Sequence, residues 1–129
     1  MLRFSLALLA AFALGAAEIS PAPDLVAELA SDLSQGEIEA IMAHFDRAMP
    51  GYERIHRDIA ALSSREVGCS IMILKDDGDQ RRRTLELDWI LEVSGSRRRV
   101  TVHAAIEPRG GRRWLVTSLE PLDLFTPPQ

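Results

Sequence analysis

The chain has 129 residues, of which 47% are hydrophobic, 26% charged and 5% aromatic, and its formal charge is −4. That length holds one ordinary domain and excludes a two-domain enzyme with a separate cofactor module, while the apolar fraction excludes disorder. A single cysteine excludes a disulfide framework and a thiolate zinc site.

The first segment reads as a secretory signal peptide. Met1-Leu2-Arg3 supplies one positive charge, and Phe4 to Ala17 carries none. Small residues at Gly15 and Ala17 place cleavage before Glu18, with Ala13-Leu14-Gly15 as a second site. The apolar run is shorter than the roughly 20 residues that span a bilayer. An uncleaved anchor is the competing reading. No cysteine near the cut offers a lipid attachment point. The expected location is therefore the periplasm or the medium, with no membrane span once residues 1–17 are removed.

Residues 18–23 hold two prolines and read as an extended leader. Asp24 is a candidate N-cap for a helix whose apolar stripe is Leu25, Val26, Leu29, Ala30 and Leu33, ending at Gly36. A second stripe, Ile38, Ile41, Met42, Phe45 and Met49, predicts a helix that stops at Pro50-Gly51. Tyr52, Ile55, Ile59 and Leu62 predict a third.

Four strands follow. The first runs from Val67 to Lys75 and turns at Asp76-Asp77-Gly78-Asp79. The second, Arg82 to Val93, alternates Leu85, Leu87, Trp89, Leu91 and Val93 with Glu86, Asp88 and Glu92. The third runs from Arg98 to Glu107 and the fourth from Arg113 to about Leu119, with turns at Gly95-Ser96 and Gly110-Gly111. A loop at Gly95-Ser96 sets Leu91 opposite Val100, Trp89 opposite Val102, Leu87 opposite Ala104 and Leu85 opposite Ile106. On the other face it sets Glu92 against Arg99 and Asp88 against His103. The fold class is α+β: N-terminal helices packed on a curved four-stranded antiparallel meander. The single domain covers 24–126, with 127–129 as a tail. Leu122, Leu124 and Phe125 are expected to tuck against the core or a partner.

The run from Phe45 through Met49-Pro50-Gly51-Tyr52, the strand 83–89 and the closing segment 113–122 resemble the nuclear-transport-factor-2-like superfamily, especially its small exported bacterial members. The resemblance implies a cone-like cavity between sheet and helices. That superfamily includes isomerases, dehydratases, ligand carriers and dimeric adaptors, so the fold does not choose a function. No strand is expected between the second and third helices, where many members have one.

Asp88 and His103 are the candidate acid–base pair, because a carboxylate beside an imidazole can orient it and raise its basicity. Both point away from the apolar face, which favours a surface ion pair. His44 and His56 lack the converging partners of a metal site, and Cys69 has no identifiable base. Tyr52 is the sole tyrosine, and the expected interior holds no acid. No cofactor is implied.

Residues 80–129 hold nine basic and six acidic groups, and 18–79 hold five and thirteen. The overall acidity and few aromatics argue against nucleic acid. The favoured reading is a non-catalytic binding or interaction module. It would take a small apolar ligand among Phe45, Tyr52, Ile55, Leu87, Trp89 and Val102, or form a homodimer through the open sheet face. The same six residues would otherwise simply fill the core. The alternative is a cofactorless lyase or isomerase using Asp88 and His103.

Overall fold

A computed structural model describes residues 19–128. The expected signal segment, 1–17, lies outside the described residues. Among those described, no helix is long and apolar enough to cross a membrane.

Helix α1 spans Ala22–Gln35. It starts two residues before Asp24, and Ser20 Oγ accepts the Ala22 N–H at 3.1 Å. Pro23 fits the first turn because the N–H it lacks would have had no helical partner there. Asp24 is thus a first-turn acid beside the positive end of the helix dipole, not the cap.

Helix α2, Ile38–Met42, is shorter than its apolar stripe predicts. The chain leaves the helix at Ala43, and Phe45 makes a parallel bridge to Val116. The Val116 N–H donates to the His44 carbonyl at 2.8 Å, and the Asp46 N–H donates to the Val116 carbonyl at 2.9 Å. Asp46 Oδ1 accepts the Ala48 N–H at 3.0 Å, a local bond that competes with helix propagation. Phe45 and Met49 reach the core, but from a turn-rich connection. This single bridge stands where no strand was expected. Helix α3, Tyr52–Leu62, buries Ile55, Ile59 and Leu62 as its spacing predicts.

The sheet is an antiparallel meander of β1 (Val67–Gly78), β2 (Arg83–Val93), β3 (Ser96–Arg109) and β4 (Arg113–Glu120), in the order β1-β2-β3-β4. Irregularities lie between Ile73 and Lys75 on β1 and between Ala105 and Ile106 on β3. Such bulges bend a sheet and add to its twist. The first hairpin turns later than predicted. Asp79 Oδ1 accepts the N–H groups of Arg81 and Arg82, so β1 continues through Gly78.

The second hairpin turns at Ser94-Gly95, both with positive φ (49° and 85°). That is the two-residue turn that matches strand twist. The register therefore differs by two residues from the expected one. Trp89 faces Val100, Leu87 faces Val102 and Leu85 faces Ala104. An even shift leaves every side chain on its predicted face, so the apolar side is still apolar.

Helices and sheet enclose one core, in which Trp89, Val102, Ile55, Ile106 and Phe125 are fully buried. Its last part comes from a 3-10 turn, Leu122–Phe125, that follows β4.

Candidate functional site

Five of the six residues expected to line a cavity are packed inside the cone. Ile55, Trp89 and Val102 are 0% exposed, and Phe45 and Leu87 are 2% exposed. Tyr52 is half-buried and tilted against His56, one helical turn along α3, with ring centroids 6.1 Å apart. The space between sheet and helices is taken by Leu124 and Phe125. Phe45 and Tyr52 do share an open groove of about 770 Å³, with Met42, His56, Arg47 and Arg113 on its walls.

The closing turn is held by main-chain bonds. The Arg98 guanidinium donates to the carbonyls of Asp123, Leu124 and Thr126. Thr126 Oγ1 donates to Asp58 Oδ2 at 3.4 Å, and Arg65 donates to the Pro128 carbonyl at 3.2 Å. Leu122 lies directly over Gly51. Arg98 lies within the basic run Arg97-Arg98-Arg99, which the charge totals for residues 80–129 do not resolve into separate roles. Its parity shows the difference, because Arg98 shares the inner face with Val100 and Val102.

Asp88 and His103 are not brought together. In the observed register Asp88 faces Thr101, and His103 faces Glu86 on β2 and Glu120 on β4. The cause is the turn at Ser94-Gly95, which moves each expected partner by two positions. Likewise Glu92 faces Arg97 and not Arg99. Asp88 instead accepts two bonds from Arg99, at 3.0 and 2.8 Å. Those bonds hold its carboxyl below the usual carboxylate range. Such an acid is ionised and ion-paired, and it is a weak base. His103 lines a surface hollow of about 370 Å³ with Lys75, Glu86, Ser118 and Glu120. Lys75, Glu86, His103 and Glu120 form one row across all four strands.

An Asp–His contact does exist, elsewhere. His44 Nε2 lies 2.7 Å from Asp32 Oδ2, tying α1 to the connection after α2. His44 is 5% exposed and lines none of the cavities described here, so the pair acts as a structural tie. Cys69 is half-buried on β1, and burial pushes its thiol up to about 12. The indole N–H of Trp89 partly offsets that rise, but Trp89 Nε1 has no hydrogen-bond partner of normal geometry. Among the described residues, no group of three or more His, Cys, Asp or Glu converges as a metal site.

No protein-family model matches the sequence, and no curated protein sequence matches it. Solved structures do. The chain superimposes on Bdellovibrio bacteriovorus Bd1075 with a TM-score of 0.67 at 10% identity, over 76% of this chain and 38% of that one. A substituted form of a protein named Rd1NTF2_05 matches with a TM-score of 0.63 at 15% identity, over 76% and 93%. A Nostoc punctiforme protein of unknown function with a cystatin-like fold matches with a TM-score of 0.53 at 16% identity, over 74% and 83%. The class is the cystatin-like α+β fold. Within it, the chain has the nuclear-transport-factor-2-like fold that its sequence resembles. At these identities the likeness is one of fold.

Proposed function

We propose that this chain is an exported, non-catalytic interaction module that pairs with a second copy of itself through the outer face of its sheet. The observation that carries this reading is an apolar strip on that face. Met72 is 62% exposed and Leu74 is 50% exposed on β1, and Ile90, half-buried on β2, faces Ser70, two residues before Met72. Large exposed apolar groups clustered on one face mark an interaction surface.

Charge supports a copy of the same chain as the partner. The outer row of β2 is acidic, with Glu86, Asp88 and Glu92. The outer row of β3 carries Arg97 and Arg99, which within the chain already lie 3.8 Å from Glu92 and 2.8 Å from Asp88, so pairing across two copies would extend these contacts into a shared network. A two-fold axis running between β2 and β3 sets each acidic row over the partner's basic row. Export is supported by the charge and apolar pattern of residues 1–17. The non-catalytic reading is supported by a packed interior and by the Asp32–His44 contact, which ties α1 to the connection after α2 and faces none of the cavities described.

Sedimentation equilibrium of the chain from Glu18, alongside Met72→Glu and Ile90→Glu, tests the proposal. A wild-type dimer that both variants reduce to monomer is the expected result. A wild-type monomer at tens of micromolar would overturn it.

A further inference from the structure

Arg98 differs from the arginines on either side of it. Arg97 lies 3.8 Å from Glu92, and Arg99 lies 2.8 Å from Asp88. Arg98 is on the inner face, opposite Leu91, and makes no ion pair with any described carboxylate. Its charge is met only by the main-chain carbonyls of Asp123, Leu124 and Thr126. A surface depression of about 470 Å³ opens beside it, walled by Arg54, Arg98 and Val100 and by Pro121, Asp123, Leu124 and Thr126 of the closing segment. Inward of Leu124 comes Phe125, and Phe125 touches Trp89. The Trp89 indole N–H is buried and has no partner of normal geometry, its neighbour being the Cys69 thiol.

The order from surface to centre is thus two guanidinium groups, an apolar turn, and an aromatic interior. We infer that the turn Leu122–Phe125 is a displaceable plug over a binding site for an apolar carboxylate, whose head sits on Arg98 and whose chain takes the place of Leu124 and Phe125. This site lies on the opposite side of the sheet from the proposed interaction face and does not depend on it.

The chemistry favours the exchange. Arg98 now holds neutral carbonyls, whereas a carboxylate offers two charged oxygens matched to its planar fork. Charge-assisted bonds of this kind are shorter and roughly twice as strong. Of the other bonds on the segment, that from Thr126 to Asp58 is long at 3.4 Å, and that from the exposed Arg65 meets the Pro128 carbonyl at 3.2 Å. Two acids border the site: Asp123 sits on the turn that is displaced, and Asp58 on α3 lies 3.8 Å from Arg54 and 3.9 Å from Arg57, so its charge is already answered. An alkyl chain replaces the apolar contacts of Phe125, and the head group gains the difference.

Decanoate and decanol are the probes, titrated calorimetrically into the full chain while hydrogen exchange is followed over 121–128. Decanoate is expected to bind about tenfold more tightly than decanol, the ratio of a charge-assisted to a neutral hydrogen bond. Saturation with it should speed exchange at Leu124, Phe125 and Thr126. Arg98→Gln should abolish the preference, and Phe125→Ala should strengthen decanoate binding. Equal affinity for the two probes, binding with no change in exchange, or no binding to either wild type or Phe125→Ala would each overturn the inference. The exchange experiment on wild type decides the matter should Arg98→Gln fail to fold.

Discussion

Phe125 stands edge-on to Trp89, with ring centroids 5.7 Å apart and ring planes at 79°. Phe45 meets the same Phe125 ring at 6.5 Å and 90°. Edge-to-face is a preferred aromatic geometry, because the positive rim of one ring meets the negative face of another. The three rings come from β2, from the connection after α2 and from the turn after β4, so the terminal turn joins parts of the fold remote in sequence. Phe125→Ala should cost about 3–5 kcal/mol, the usual range for deleting a buried aromatic ring. Urea unfolding reads this as a lower midpoint at an unchanged slope. A loss below about 1 kcal/mol would show that the turn is not part of the core.

Gly51 is the second point at which the closing turn is fixed. Its φ is +82°, a left-handed conformation at the start of α3. A Cβ there would overlap Leu122 Cδ2. Gly51→Ala therefore meets two separate penalties. The left-handed backbone alone costs about 1–2 kcal/mol, and the overlap adds to it. Leu122→Ala removes the overlap and leaves the backbone cost. The double variant should be more stable than the sum of the two single changes indicates, measured as a thermodynamic cycle. Strict additivity would mean that the two residues do not press on each other.

Much of this was legible in the sequence. The alternation on β2 and β3 assigns inner and outer faces correctly, and the glycine-containing turns mark three hairpins. The register of β2 and β3 was not legible, for a physical reason. Ser94-Gly95 and Gly95-Ser96 contain the same glycine, and a two-residue shift moves no side chain to the other face. The cross-strand partners of Asp88 and His103 depend on that choice, so the candidate pair dissolved although both faces were right. The stripe of α2 was misleading at Phe45 and Met49, where helical spacing coincides with a turn stabilised by Asp46. Leu122, Leu124 and Phe125 read as buried, but the wall they meet is set by contacts with Trp89 and Phe45, far off in the chain. Arg98 was legible from parity alone.

The Cys69 thiol is raised to about 12, first by burial, with the Trp89 indole N–H acting weakly against the rise. The thiolate is the reactive form, so alkylation at pH 8 should be far slower than for a free cysteine and should recover its ordinary rate in urea. The sign of the linked stability follows. Between about pH 9 and about 12 the unfolded thiol has lost its proton and the folded one has kept it. Stability should fall with rising pH across that window. Cys69→Ser should lack this component. Rapid alkylation of the folded chain at pH 8 would contradict the burial of the thiol.

Asp88 makes the opposite prediction, at the acid end. Arg99 donates to both of its oxygens and holds its pKa below the usual 3.8. A carboxyl depressed on folding adds stability above its unfolded pKa. That stability is lost as pH falls through the lower, folded value. The wild type should therefore lose this contribution below about pH 4, near the ordinary aspartate pKa. Asp46 and Asp79 are lowered in the same direction, so the contribution of Asp88 must be read as a difference. Subtracting the Asp88→Asn curve from that of the wild type should leave a component confined to this acid window. Carboxyl carbon NMR gives the direct check. Asp88 should titrate at lower pH than a free aspartate, and Arg99→Gln should return it toward the ordinary value. If Arg99→Gln leaves the titration of Asp88 unmoved, the pair across β2 and β3 is not what holds the carboxyl ionised.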